Sequence, residues 1–414
     1  MPEVWRKRVG ALGAAVALTL VAAVPASAAP AVVTTMPGVS TAPGISTAPG
    51  ISRVTGIRLS LPAPSGPLPV GTVSVRLVDR SRPDPWVTGR PYRELMVSVW
   101  YPAARAQGRP VSPHLPPLVA ADLDATSAPA LLGVRPGQVD WAATRTHART
   151  DAPARPRAGG YPVVLYSPGY MVPRSLGTLA AEDLASRGYV VVTVDHTYEA
   201  SAVEFPGGRL ERARVRADST ADAMKALDVR VADLRFVLDV VTARHTGPPS
   251  WLPSWLAGAL DTTRMAAMGF SMGGAATARL MYADHRVKAG VNLDGSLFGE
   301  VTERGLDGPF LQLAADRDDD PSWETFRKQR RGWKRDLRLA GAEHYSFTDL
   351  QALVPRISSS LGTPSEIVGT VDPVRSIAAQ RAYVAAFLDL HLKGRKTRLF
   401  DRPSPAFPEV GFLA

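Results

Sequence analysis

The sequence predicts an α/β fold, a mostly parallel central sheet with helices on both faces. Three observations carry this. Short apolar runs alternate with segments of helical spacing over most of the chain, and one such run turns into a small-residue helix through a serine flanked by glycines. Of the 414 residues, about 360 follow a low-complexity stretch, a size common for one α/β unit. Parallel strands need long crossovers, and helices in those crossovers cover the sheet on both sides.

The elements follow in order. Leu95–Pro102 reads as an early strand and Tyr161–Tyr166 as a buried one, followed by the loop Ser167-Pro168-Gly169-Tyr170. A helix then runs to about Arg187, where Gly188 stops it, and Tyr189–Val194 forms the next strand, ending at Asp195-His196. Val231, Leu234, Leu238 and Val241 fall at helical spacing, so Val229–Val241 reads as a helix whose charged face is solvated. Arg264–Phe270 is an apolar strand, and Ala289–Leu293 and Pro309–Leu313 are two more. The densest basic run, Arg327 to Arg338, reads as a helix surface. Asp372-Pro373 caps a last helix that ends at Gly394.

Residues 1–28 read as a secretory signal peptide: Arg6, Lys7 and Arg8 precede the apolar stretch Val9–Val24, and Ala26-Ser27-Ala28 offers small residues for cleavage before Ala29. Pro25 and Ser27 interrupt the run before it reaches the length of a membrane span. Residues 29–55 carry Pro37–Ala42, its near copy Pro43–Ala48 and a third start at Pro49. So Pro-, Gly-, Ser- and Thr-rich a tract reads as a flexible spacer, because it cannot bury enough apolar surface to order itself. Residues 56–414 then read as a single globular domain. With no cysteine in the chain, that domain gains no disulfide from an oxidising compartment. The formal charge of +10 becomes +8 when the leader takes three positive charges and one negative with it. The arginines are dispersed, without the alternation of basic and aromatic residues that nucleic-acid binding would suggest. A basic surface does suit transient contact with an anionic lipid surface.

The run Gly269-Phe270-Ser271-Met272-Gly273 has the form of a nucleophile elbow. A serine hydroxyl is a poor nucleophile until a sharp strand-to-helix turn lifts it toward a base, and flanking glycines let two backbones pass closely. The pattern alone arises by chance in roughly one chain of this length in ten at ordinary glycine usage. The strand before it and the helix after it make it specific. The base must lie beyond the elbow in an α/β-hydrolase order of Ser, acid, His, and His344 in Gly341–Phe347 satisfies it. His285 and His391 read as surface groups. His196, at a strand end near the same rim, reads equally well as pocket-lining or structural. Three carboxylates compete for the acid: Asp294 after Val291–Leu293, and Asp316 and Asp318 after the next strand. The residues alone do not choose among them. Pro168 lacks an N–H, so the oxyanion donor of this loop is Gly169 or a later residue, with Tyr170 the candidate and the Met272 main-chain amide supplying the other N–H.

Pro162–Gly169, Asp183–Val191, Asp195-His196, the Gly269–Gly274 elbow, Leu293-Asp294 and Gly341–His344, taken in order over roughly residues 90–395, resemble the platelet-activating factor acetylhydrolase family of α/β-hydrolases, which includes secreted bacterial lipases and esterases. The resemblance implies Ser271 as nucleophile, Asp294 as acid, His344 as base, and the Tyr170 and Met272 amides as the oxyanion hole. It implies a secreted serine esterase or lipase acting on carboxylic esters of lipids, with short sn-2 acyl phospholipids in range, through an acyl-enzyme and without metal or organic cofactor. Calcium is not implied, since Asp316–Asp320 lacks the glycine and distal glutamate of a calcium loop. One departure is Pro168-Gly169, where many members have His-Gly. Ser-Pro-Gly-Tyr is also similar to bacterial cutinase-like polyester hydrolases, whose acid lies one strand later, at Asp316 or Asp318 here. An acyltransferase would use the same triad with an alcohol in place of water.

Overall fold

The computed structural model describes residues 56–242, 251–317, 320–363 and 365–413. The expected signal peptide and spacer, and Asp318, lie outside these residues. Thirteen strands occur among the described residues: β1 Val70–Asp79, β2 Arg93–Pro102, β3 Val111–Pro113, β4 Arg145–Thr150, β5 Tyr161–Ser167, β6 Val190–Asp195, β7 Ala202–Phe205, β8 Arg209–Arg212, β9 Leu260–Phe270, β10 Val287–Leu293, β11 Phe310–Ala314, β12 Lys334–Leu339 and β13 Val410–Phe412. Eleven form one sheet in the order β13-β12-β11-β10-β9-β5-β6-β2-β1-β4-β3, and β7 and β8 pair as a separate ribbon. From β6 through β5, β9, β10 and β11 to β12 every neighbouring pair is parallel. The long meander partners β1 and β2 join antiparallel to β6.

The helices that matter for the site are α1 Thr178–Ser186, α2 Thr220–Thr242, α3 Met272–Ala283, α4 Pro321–Gln329 and α5 Pro373–Lys393. The expected limits of α5 are met in detail: the Asp372 side chain accepts from Arg375 N, and Gly394 closes the helix in the left-handed conformation at φ 67°. Strand side chains alternate between two apolar layers, as a period of two requires. Val164, Tyr166, Ala266, Met268 and Phe270 pack with α1 and α5 on one face. Val163, Leu165, Met265 and Ala267 pack with α2 and α3 on the other. Burial on both faces explains why these strands are apolar throughout.

Two surface expectations are corrected. The Arg327–Arg338 run is not one helix surface: α4 ends at Gln329 and the chain enters β12 at Lys334. Arg330 is buried there, bonded to both oxygens of Asp336 at 2.5 and 2.6 Å. The charged face of α2 is not uniformly solvated either, because Arg230 and Asp233 are buried at 1% and 0% exposure. They lie on the same three-to-four-residue stripe as Ala226, Leu227, Leu234 and Val237, which faces the sheet.

The chain leaves β5 to one side for β6 and returns on the other side at β9. The reversal opens a crevice at the carboxyl ends of β5 and β9, where open α/β sheets bind ligands. Ser167–Tyr170 and the Ser271 turn emerge at that point.

Candidate active site

Ser271 joins β9 to α3 with φ 55° and ψ −122°, a conformation costly for a residue with a Cβ. Packing enforces it. A Cβ at Gly269 would collide with the Gly273 backbone, and one at Gly273 with the Ser167 carbonyl, so only glycines let the turn close against β5. Ser271 N donates to Leu293 O at 2.9 Å and Asp294 N to Leu313 O at 2.8 Å. These bonds carry the sheet's register into the turns and set the ends of β9, β10 and β11 side by side.

At this rim the Ser271 Oγ lies 3.0 Å from His344 Nε2, and His344 Nδ1 lies 2.5 Å from Asp294 Oδ2. Asp294 is fully buried, and its other oxygen accepts from Ala315 N at 3.0 Å and from Arg317 Nε at 3.1 Å. An ionised Asp294 places the imidazole proton on Nδ1, which leaves Nε2 free to accept from the Ser271 hydroxyl. Phe270 lies against the imidazole with ring centroids 4.6 Å apart, and Tyr345 flanks it at 5.7 Å. The His344 loop is tied by a reciprocal capping bond between Glu343 and Ser346, whose hydroxyl also donates to Val368 O at 2.7 Å. The Asp294 turn is tied by Asn292, which donates to Gly295 O at 2.7 Å and accepts from Gly295 N at 2.9 Å.

Asp316 does not meet the imidazole. It is exposed and accepts from Gly341 N at 2.7 Å, so it anchors the start of the loop that carries His344. Of the other histidines, His285 is exposed as expected. His391 is not a free surface group: it is half-buried between Trp333 and Phe387, and burial pushes its imidazole down to about 4.

His196 is structural. It is 1% exposed, with Nδ1 2.9 Å from Asp233 Oδ2 and Nε2 2.9 Å from Ser167 Oγ. Burial, reinforced by the nearby Arg230 charge, lowers its imidazole to about 4 and keeps it neutral. Burial alone would raise Asp233, but Arg93, bonded to it at 2.8 and 3.1 Å, more than offsets this and holds the carboxylate ionised. Ser167, His196 and Asp233 thus repeat the hydroxyl, imidazole and carboxylate order of the rim cluster in a place no substrate reaches.

Tyr170 follows Gly169, where an added Cβ would sit 3.3 Å from the Ser271 Cβ. Met272 is the first residue of α3, so its N–H has no intrahelical acceptor. Gly169, one residue before Tyr170, therefore lies against the serine, and Met272 follows the serine directly. Sequence reasoning missed Arg230, Arg317 and Asn292, which hold these loops. The helical register of α2 is the available signal for Arg230, and the Asn292-to-Gly295 spacing at a strand end is one for Asn292; nothing local marks Arg317, whose partner lies 23 positions away.

A family model described as platelet-activating factor acetylhydrolase, isoform II, matches residues 56–208 and 250–402. The chain belongs to this acetylhydrolase family. A probable 1-alkyl-2-acetylglycerophosphocholine esterase of Arthroderma benhamiae is 31% identical over 381 residues, covering 85% of this chain and 93% of that protein. The platelet-activating factor acetylhydrolase of Bos taurus is 26% identical over 56% of this chain and 57% of its own length. Among solved structures, a ferulic acid esterase from Streptomyces cinnamoneus superposes with a TM-score of 0.74 and 41% identity, over 86% of this chain and 99% of that one. This acetylhydrolase family member has the α/β-hydrolase fold and is a carboxylic ester hydrolase.

Proposed function

We propose that the protein is an exported serine esterase that cleaves carboxylic esters of lipids, short sn-2 acyl phospholipids among them, through Ser271, His344 and Asp294. The observation that carries the reading is the continuous Ser271–His344–Asp294 hydrogen-bond chain at 3.0 and 2.5 Å, set on a strained elbow. His344 takes the Ser271 proton as the oxygen attacks the ester carbonyl, and Asp294 keeps the imidazole in the accepting tautomer and stabilises its cation. The Tyr170 and Met272 amides receive the developing oxyanion. Collapse expels the alcohol, protonated by His344, and the same histidine activates the water that releases the acid.

A second reading, an ester of a hydroxycinnamic acid as substrate, is favoured by the 41% identity to the ferulic acid esterase. Both readings share the triad and differ in the acyl group. The test of the mechanism is Ser271→Ala, expected to abolish hydrolysis of nitrophenyl esters while an organophosphate labels the unaltered protein once. Retained activity in the mutant removes the serine mechanism. Comparing kcat/KM on a short-acyl phospholipid and on methyl ferulate decides between the substrate classes.

A further inference from the structure

Arg230 projects from α2 beneath the loop that follows β5 and is 1% exposed. Its guanidinium donates to Ser167 Oγ at 3.1 Å, to Pro168 O, and to Gly169 O at 3.0 Å. Glu199 grips it from the other side, with Nε to Oε1 at 2.7 Å and Nη2 to Oε1 at 2.5 Å. Ser167 is held as well by His196, which Asp233, one turn along α2 from Arg230, fixes in turn. One planar fork therefore fixes successive groups of Ser167, Pro168 and Gly169. A lysine, with a single compact ammonium, has no equivalent geometry.

The Gly169 carbonyl and the Tyr170 N–H belong to one rigid trans peptide and point in opposite directions. Whatever holds that carbonyl also aims that N–H. We propose that Arg230, braced by Glu199 and by the Ser167–His196–Asp233 chain, is a positioning residue for the oxyanion site: by drawing the Pro168 and Gly169 carbonyls inward, it turns the Tyr170 N–H outward toward Ser271. This rests on the serine-esterase reading above. Arg230 touches no reacting atom and acts only through the peptide it orients. Gly169 has no side chain to anchor it, and its carbonyl also accepts from Val172 N at 3.2 Å; the Arg230 guanidinium adds a buried, charge-assisted hold on the same oxygen.

The experiment compares Arg230→Lys with the unaltered protein on a nitrophenyl ester and against a trifluoromethyl ketone, whose serine adduct carries an oxyanion. Removing one oxyanion donor costs about a hundredfold or more in comparable enzymes, so misdirecting one should lower kcat by roughly tenfold to a hundredfold. KM should stay within about threefold, and ketone affinity should weaken by the same factor as kcat/KM. The pH midpoint of kcat/KM should not move, because the His344–Asp294 pair is untouched. If Arg230→Lys does not fold, Ser167→Ala carries the same comparison, with an expected loss of roughly threefold to tenfold in both readouts. Unchanged kcat and ketone affinity in whichever variant folds, or a lowered melting temperature alone, overturns the proposal. Ser271→Ala is run beside them: if it stays active, the esterase reading itself has failed, whereas a dead Ser271→Ala with an unaffected Arg230→Lys refutes only the clamp.

Discussion

Replacing Asp294 with asparagine changes one atom and should silence the enzyme. The carboxylate is fully buried, with Oδ1 accepting from Ala315 N and Arg317 Nε, and Oδ2 facing His344 Nδ1 at 2.5 Å. An amide keeps the Ala315 and Arg317 bonds only with its oxygen in the Oδ1 position, so its NH2 must face the imidazole. Nδ1 then has to accept, the proton moves to Nε2, and the nitrogen 3.0 Å from Ser271 Oγ can no longer take the serine proton. In a comparable triad the wrong tautomer costs about 10⁴ in kcat, which is about 5 kcal/mol of barrier. The assay is kcat/KM on a nitrophenyl ester for Asp294→Asn and Asp316→Asn, with thermal melts to confirm folding. Asp316 bonds Gly341 N at 2.7 Å, and its substitution should cost no more than about tenfold. A near-normal Asp294→Asn beside an inactive Asp316→Asn would refute the assignment.

Three further outcomes are expected. Gly273→Ala should lower stability by about 1–3 kcal/mol in denaturant melts and reduce activity, because its methyl meets the Ser167 carbonyl; an unchanged melt would contradict the packing argument. His391 is lowered to about 4 in the folded chain, so unfolding takes up a proton between that value and about 6.5. Its contribution is intact above about pH 6.5 and is lost as pH falls toward 4. His391→Leu should therefore flatten the decline of stability across that window, and an unaltered slope would count against a neutral His391. Extracellular protein from the native host should begin at or near Ala29, and an N-terminal sequence starting at Met1 would overturn export by a cleaved leader.

The parts of the site legible in the sequence are the local ones. Gly269–Gly273 announces its own turn because steric need for glycine is written within five residues. His344 is identified by chain order. The acid was not separable from residues alone, since Asp294 and Asp316 both end strands at one rim; what distinguishes them is which loop each turns into, a three-dimensional fact. Helical spacing alone places Arg230 and Asp233 on a solvated face, because charge on a helix usually is solvated. Their partners, Gly169 and His196, lie 61 and 37 positions away, and no single sequence displays that pairing. His391 and Arg330 differ from a surface reading for the same reason: Trp333, distant in the chain, covers His391, and Arg330 lies at the bend between α4 and β12, which helical spacing does not show.

The rim cluster draws on the ends of β5, β9, β10, β11 and β12 together, and the main-chain bonds from Ser271 N to Leu293 O, Asp294 N to Leu313 O and Asp316 N to Ala342 O continue the sheet's own ladder. No single segment of the chain holds a working fraction of it. Turnover should therefore serve as a built-in gauge of sheet integrity: as denaturant is added, ester hydrolysis and the optical signal of the sheet should vanish at one concentration, with no inactive yet folded species between.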